Sequence, residues 1–334
     1  MKYPKFGVNA CRKSTDTISV HFKIVPDSFR ICNNSISSKW YKPDTFKIYK
    51  IEFNNIKVGI YNITSIIGEK TLIEKHCISI KDNSNFKNFI RVIFITDCHI
   101  GFRHTAEKLI KWVDIINNEN PDIVIFGGDN IEYNNSNYLE EFMKIIENIK
   151  CPFLIISGNH EHHNFLKMSI GNSVFKDRIN EKDHFHEAIF PLSIYLFDTR
   201  SDNYFLPSRC KGPSSVAIKW ADNLLVNDNY PYKVFVMHGP PVDHTELNQR
   251  NNDDIINIAE KHSIDFILCG HTHKSVIYDK DMKMYNLIDR RQKPLIVQTG
   301  TCCKTYSPFA EIRRIDFYTN NDSIGNKILK LKEN

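Results

Sequence analysis

Five short clusters hold the residue types from which a metal site is made: Asp97-Cys98-His99, Gly128-Asp129-Asn130, Gly158-Asn159-His160-Glu161, Met237-His238-Gly239 and Gly270-His271-Thr272-His273. A lone histidine of this kind is more often hydrogen-bonded scaffolding than a ligand. The whole set is different, because accident would have to supply every cluster. Hydrolysis of a phosphate ester needs anionic oxygen to bridge two cations, neutral imidazoles to hold each cation without cancelling its charge, and open positions for water and substrate. On that scheme Asp129 bridges, Asp97, His99 and His273 complete one ion, and Asn159, His238 and His271 complete the other. Mixed N and O donors suit Mn, Fe, Zn, Co or Ni better than Mg or Ca, and do not choose among them.

Each cluster follows an apolar run, at Arg91–Ile95, Ile123–Phe126, Phe153–Ile156, Val234–Val236 and Phe266–Leu268. Between the first runs lie two helical patterns, one with Leu109, Ile110, Val113 and Ile116 on a face, the next with Leu139, Phe142, Met143, Ile146 and Ile149. Alternating strand and helix predicts an α/β unit with a mainly parallel, buried sheet. Ligands at the carboxyl ends of such strands converge on one crevice. Residues two apart in extended chain point the same way, so Asp97 with His99, and His271 with His273, are each expected to aim two donors at one place. The adjoining glycines allow sharp turns and a close backbone approach.

Ahead of these lie short alternating segments at Ile18–Ile24, Phe46–Ile51, Ile56–Ile60 and Cys77–Ile80, which read as a small antiparallel β unit. Lys81–Asn85 reads as a linker. The expected division is a β-rich N-terminal domain over 1–86 and a larger domain over 87–334.

Bulk composition sets outer limits. The chain has 334 residues, 41% hydrophobic and 25% charged, the balance of a globular protein and not of a disordered or fibrous one. The formal charge of +5 is spread along the sequence and not gathered in a basic block, so nucleic acid is a possible substrate that nothing indicates. There is no apolar leader and no stretch of membrane-span length, which makes a cytoplasmic location the expectation. The nine cysteines include no C-x-x-C pair, against both a disulfide framework and a thiolate zinc site. Cys302-Cys303 is expected to place one thiol inward and one outward, both reduced.

In this order and spacing the clusters resemble the calcineurin-like metallophosphoesterase family, whose pattern runs D-x-H, G-D, G-N-H-(D/E), H, G-H-x-H, over about Phe89 to Tyr318. The resemblance implies a fold of two mixed β-sheets sandwiched and flanked by helices. It also implies a bridging hydroxide that attacks phosphorus in line, and it gives the histidine of G-N-H, here His160, a place beside the leaving group as proton donor or charge stabiliser. Glu161, next to it, would orient that imidazole. Asn159 and His160 are then substrate contacts, with Arg103 and His104 as weaker candidates close enough to the first cluster to reach a phosphate. Further matches, Phe197–Arg200, Gly212, Ile218–Leu225, Val234–Pro241 and Val297–Thr301, point to the branch of cyclic-nucleotide phosphodiesterases and purple-acid-phosphatase relatives.

Departures narrow the reading. Asp129 is followed by Asn130-Ile131-Glu132 and Gly158 is preceded by Ser157, unlike the phosphoprotein phosphatases. Glu132 stands where purple acid phosphatases place a metal-bound tyrosine, so no charge-transfer colour is expected. The favoured reaction is phosphodiester hydrolysis with a phosphate-ester substrate; a phosphomonoesterase, a nuclease and a non-catalytic scaffold are the alternatives.

The remaining candidates have bland readings beside functional ones. His162 and His163 suit a solvated loop as well as substrate contact, and Arg103 and His104 serve equally to start a helix. His184 and His186 are read as surface loop in a polar insertion, and Arg200 and Arg209 as surface charge. Trp112 and Trp220 fall at helical spacing and are expected to anchor the core.

Overall fold

The fold was read from a computed structural model, which describes residues 6–7, 17–22, 26–33, 37–43, 48–52, 59–80, 88–164, 169–170, 184–189, 191–199, 212–242, 252–303 and 309–331. In the N-terminal part the strands β1 (Phe6–Gly7), β2 (Thr17–Phe22), β3 (Ser28–Cys32), β4 (Ile48–Glu52), β5 (Gly59–Ile67) and β6 (Lys70–Ile80) form two antiparallel sheets, ordered β1-β2-β4 and β3-β5-β6. The sequence pattern did not anticipate β3, and it broke the long β5/β6 hairpin short. The two strands meet at Gly68, whose φ of 57° suits a two-residue hairpin loop. Parts of the segments expected at 18–24, 46–51 and 56–60 lie outside the described residues, as does the expected linker Lys81–Asn85.

The rest of the chain gives β7 (Phe89–Ile95), α1 (Thr105–Glu119), β8 (Ile123–Gly127), α2 (Ser136–Ile146), β9 (Phe153–Ile156), a two-residue pair β10 (His163–Asn164) and β11 (Ser169–Ile170), then β12 (His184–Ile189), β13 (Leu192–Phe197), α3 (Ser215–Leu225), β14 (Tyr232–Met237) and α4 (Asn252–Lys261). Beyond these follow β15 (Phe266–Cys269), β16 (Val276–Tyr278), β17 (Met284–Tyr285), β18 (Leu295–Gln298), β19 (Glu311–Tyr318) and β20 (Ile324–Lys330). One sheet is ordered β20-β19-β7-β8-β9, the other β12-β13-β14-β15-β18-β16-β17. β7, β8 and β9 run parallel, as do β13, β14, β15 and β18, while β19, β20, β12, β16 and β17 add antiparallel pairs. The mainly parallel sheet read from strand and helix alternation is thus two mixed sheets, the architecture the resemblance implied.

Alternation along each strand sorts the layers. Val92, Phe94, Ile125 and Ile156 face Ile194, Leu196, Val236 and Leu268 between the sheets. Ile93, Ile95, Val124 and Phe126 point the other way, against Leu109, Trp112, Ile116 and Phe142 of α1 and α2. Tyr195, Phe197, Phe235 and Met237 face α3 and α4. Strands covered on both faces need apolar residues throughout, which explains the unbroken runs. Each fully buried Ile or Phe contributes about 1.5–3 kcal/mol over leaving it in water.

Ile110, expected on the inner face of α1, is 52% exposed, and Trp112 takes that place with its indole N–H donating to Cys302 O at 2.6 Å. Trp220 packs partly buried against the α3 and α4 core, as expected of an anchor. His184 and His186 lie on β12 and not in a loop; their rings stack near Trp220 and Tyr195 at 4.4 and 4.6 Å. Cys302 and Cys303 are both buried, contrary to the one-in, one-out expectation, because the turn carrying them tucks beneath α1 beside Cys98, with Cys98 and Cys302 Sγ 3.3 Å apart. Among the described residues no helix is long and apolar enough to cross a membrane.

Candidate metal centre

The ends of β7 and β8 stay paired beyond the strands. Asp97 N donates to Gly128 O, His99 N to Asp129 O and Ile100 N to Asn130 O, at 3.0, 2.9 and 3.0 Å. This zips the first two clusters together. The third is fastened by Glu161, a fully buried carboxylate that collects the main-chain N–H groups of Gly158 (2.6 Å), Asn130 (2.5 Å), Asp129 (3.1 Å) and Ile131 (3.3 Å). Glu161 was expected to orient the imidazole of His160; its oxygens instead clamp two ligand-bearing turns, with nothing left over from the sequence to distinguish that role. The packing also requires glycine: a Cβ on Gly158 would stand 2.2 Å from Asp129 Oδ1.

Asp97, His99, Asp129, His271 and His273 all have positive φ, between 48° and 70°. The expectation that each D-x-H or H-x-H pair converges through extended chain is therefore wrong. Asp97 and His99 meet in one donor group through left-handed backbone, while His271 and His273 turn to different groups; such backbone costs a non-glycine residue of order 1–3 kcal/mol and persists only where the surroundings over-determine it.

Three donor groups result among the described residues. Asp97, His99 and His273 each offer one atom within 4.8 Å of the others, as do Asp129, His238 and His271, and a third group joins His99 to Glu132 and His160. In the first, Asp97 Oδ1 lies 3.1 Å from His273 Nε2 and 3.9 Å from His99 Nε2, and the two imidazole nitrogens are 3.3 Å apart. In the second, His238 Nε2 lies 3.0 Å from Asp129 Oδ2. Asp97 Oδ1 is also 3.8 Å from His238 Nε2, so the groups adjoin. Asn159 is buried at the end of β9 beside them. Arg103 and His104 stand instead at the exposed start of α1, Arg103 over the Phe102 ring and His104 beside Glu107 at 3.3 Å. Arg200 and Arg209 lie outside the described residues.

The donor atoms fit cations on their own chemistry. Asp97 Oδ2 accepts from Thr96 Oγ1 (2.8 Å) and His271 N (3.1 Å), which leaves Oδ1 buried with no hydrogen bond, aimed at three imidazoles. His238 Nδ1 donates to Gly127 O at 2.8 Å, so in the neutral ring Nε2 carries a lone pair facing Asp129 Oδ2. Two acceptors 3.0 Å apart in a buried site need a proton or a metal between them. Tetrahedral ligands at about 2.0–2.1 Å from a metal stand little more than 3 Å apart, the spacing seen here.

Without metal a proton fills that role. Burial pushes the His238 imidazole down, but Asp129 and Asp97 outweigh it and raise it to about 10. Asp129 is correspondingly held well below the usual carboxylate range, burial opposing, by His238 and His160. A cation entering the site must displace the His238 proton. Metal uptake at pH 7 is therefore expected to release protons, and affinity to rise with pH until about 10, where His238 is already deprotonated. Calorimetric titration in two buffers of different ionisation enthalpy checks this; a buffer-independent heat would contradict it.

His160 completes the wall. Its Nδ1 lies 2.7 Å from Glu132 O, which directs Nε2 toward the centre, 3.9 Å from Asp129 Oδ2. Burial lowers its basicity, but Asp129 and Glu132 prevail and raise it. Its side chain is 25% exposed, so a substrate can reach it.

His162, which by sequence suits a solvated loop as well as substrate contact, is buried. Its Nε2 lies 3.0 Å from Ser157 Oγ and 3.4 Å from Asp198 Oδ1, and Ser157 Oγ donates to the same carboxylate at 2.6 Å. This ties the third cluster to the end of β13 in the opposite sheet. His163 falls on β10. Sequence reasoning also passed over Glu132, whose Oε2 lies 2.8 Å from His99 Nδ1. Its only signal was its departure from tyrosine at that position.

The family described as calcineurin-like phosphoesterase matches residues 90–275. An uncharacterized metallophosphoesterase of Helicobacter pylori is 23% identical over 193 residues, 57% of this chain and 46% of that protein, so the chain spans about half the length of this relative. A protein of Pseudoalteromonas named a probable cyclic nucleotide phosphodiesterase is 23% identical over 198 residues, 55% of this chain and 71% of its own. Among solved structures, a dimetal phosphatase of Danio rerio superposes with a TM-score of 0.54 at 15% identity, covering 72% of this chain and 98% of that one. A purple acid phosphatase of yellow lupin does so with a TM-score of 0.58 at 13% identity, covering 98% and 74%. At such identities the structural likeness establishes the fold alone.

Proposed function

Since the chain belongs to the calcineurin-like phosphoesterase family, we propose that it is a two-metal hydrolase of phosphate esters, acting chiefly on diesters. The observation that carries this reading is the pair of buried, unsatisfied donors, Asp97 Oδ1 and His238 Nε2, set among the donor groups. Asp97, His99 and His273 would hold one ion, and Asn159, His238 and His271 the other, with Asp129 between. Two such ions, Mn, Fe or Zn, would polarise the phosphoryl group and lower the pKa of water to make a nucleophile.

The chain supplies the rest. Asp129 Oδ1 accepts from His160 N at 2.9 Å, which fixes the G-N-H turn against the ligand carboxylate. His160, anchored through Nδ1 and raised in basicity, holds a proton at Nε2 for the departing alkoxide. A monoester dianion calls for a fixed guanidinium beside the ions, and Arg103 is exposed over Phe102 instead. The relatives named as phosphodiesterases support the same choice.

The 334-residue chain with added Mn is expected to hydrolyse bis-p-nitrophenyl phosphate faster than p-nitrophenyl phosphate. Faster monoester turnover would make it a phosphomonoesterase, and inertness with Mn, Fe, Co, Ni and Zn alike would leave a non-catalytic scaffold.

A further inference from the structure

Glu132 meets the centre twice. Its main-chain carbonyl takes His160 Nδ1 at 2.7 Å, while its carboxylate Oε2 stands 2.8 Å from His99 Nδ1 and only 3.8 Å from His160 Nδ1. The residue is 8% exposed, and its own N–H donates to Ile100 O at 2.9 Å, which locks it to the paired strand ends that carry His99. The carboxylate approaches His99 Nδ1 from off the hydrogen-bond axis, at ion-pair distance. The opposite nitrogen, His99 Nε2, faces His273 Nε2 and Asp97 Oδ1. His99 also lies edge-on against His160, with ring centroids 4.7 Å apart.

We infer that the Glu132 side chain is a positioning residue for His99, serving the ion held by Asp97, His99 and His273, and not the leaving-group histidine beside it. A negative charge behind a ligating imidazole favours the tautomer with N–H on that side, presents the other nitrogen as a lone pair and raises its basicity toward a metal. In the second donor group a neutral carbonyl, Gly127 O, stands behind His238. One histidine of each donor group is therefore backed differently, His99 by a carboxylate and His238 by a main-chain carbonyl. The inference rests on the two-metal reading above.

The test is calorimetric and visible-absorption titration of the metal-stripped 334-residue chain with Co(II). The unaltered chain is expected to take two ions; failure to do so would sink the two-metal reading itself and is read before any variant. Glu132→Ala is expected to weaken one association constant by about 10–100-fold and leave the other unmoved. Glu132→Gln, whose amide oxygen can still accept from an imidazole N–H, should recover part of the loss. His160→Ala should leave the sensitive constant as it is. Two ions bound by Glu132→Ala with unchanged constants would overturn the inference. So would an equal fall of both constants in Glu132→Gln, or a fall that His160→Ala reproduces.

Discussion

Replacing Asp129 by alanine is expected to leave the chain unable to retain two ions and to lower turnover by roughly 10³-fold or more, because on the two-metal reading the nucleophile would be water whose pKa bound ions lower from 15.7 to about 7. Asp129 Oδ2 lies 3.0 Å from His238 Nε2, and its Oδ1 fixes His160 N. The substitution removes a ligand, the counter-charge of a buried imidazole and a brace on the G-N-H turn at once. Because alanine also leaves His238 buried beside a void, Asp129→Asn is the companion variant: it keeps the acceptor for His160 N and loses only the charge. Both should lose metal, read by elemental analysis after gel filtration. Two ions with full turnover in either variant would remove Asp129 from the bridge. Asp97→Ala gives the counter-test, since Asp97 Oδ1 stands within 3.1 to 3.9 Å of His273, His238 and His99. If Asp97→Ala released both ions while Asp129→Ala kept one, the bridge would be Asp97.

His160→Ala is expected to do the opposite: keep two ions and lose about 10²–10⁴ in turnover, the usual contribution of a positioned proton donor. The deficit should depend on the leaving group. A nitrophenolate departs without help, whereas an alkoxide needs the proton from Nε2, so the loss should be larger on an alkyl diester than on bis-p-nitrophenyl phosphate. An equal loss on both would leave His160 as a binding residue, and loss of both ions would make it a ligand.

Where the candidate donors gather was legible in the sequence because strand ends are. Each cluster follows an apolar run of three to five residues that lies within β7, β8, β9, β14 or β15, and parallel strands bring their carboxyl ends to one edge. How the donors converge was not legible. An expectation built on period-two geometry missed the positive φ at Asp97, His99, Asp129, His271 and His273, since no local propensity favours left-handed backbone at Asp or His strongly enough to be read from one sequence. His162 was misplaced for a related reason: its partners, Ser157 and Asp198, lie on opposite sheets, and only the packing of the sheets brings them together. The mixed character of the sheets was hidden because antiparallel β12, β19 and β20 intersperse charged and polar residues with apolar ones and lack the unbroken runs of their parallel neighbours. In the N-terminal hairpin β5/β6 Thr64, Ser65 and Glu74 are buried while Ile73 is 62% exposed, which blurred the alternation along much of its length.

The central claim is that one chain carries a dinuclear metal centre which hydrolyses phosphodiesters. It is tested most directly by removing metal from the 334-residue chain with a chelator, adding back Mn(II), and following metal content and bis-p-nitrophenyl phosphate hydrolysis together. The expected result is turnover that vanishes on stripping and returns in step with uptake of two ions per chain. Turnover that persists in the fully stripped protein, or binding of less than one ion per chain, would contradict it.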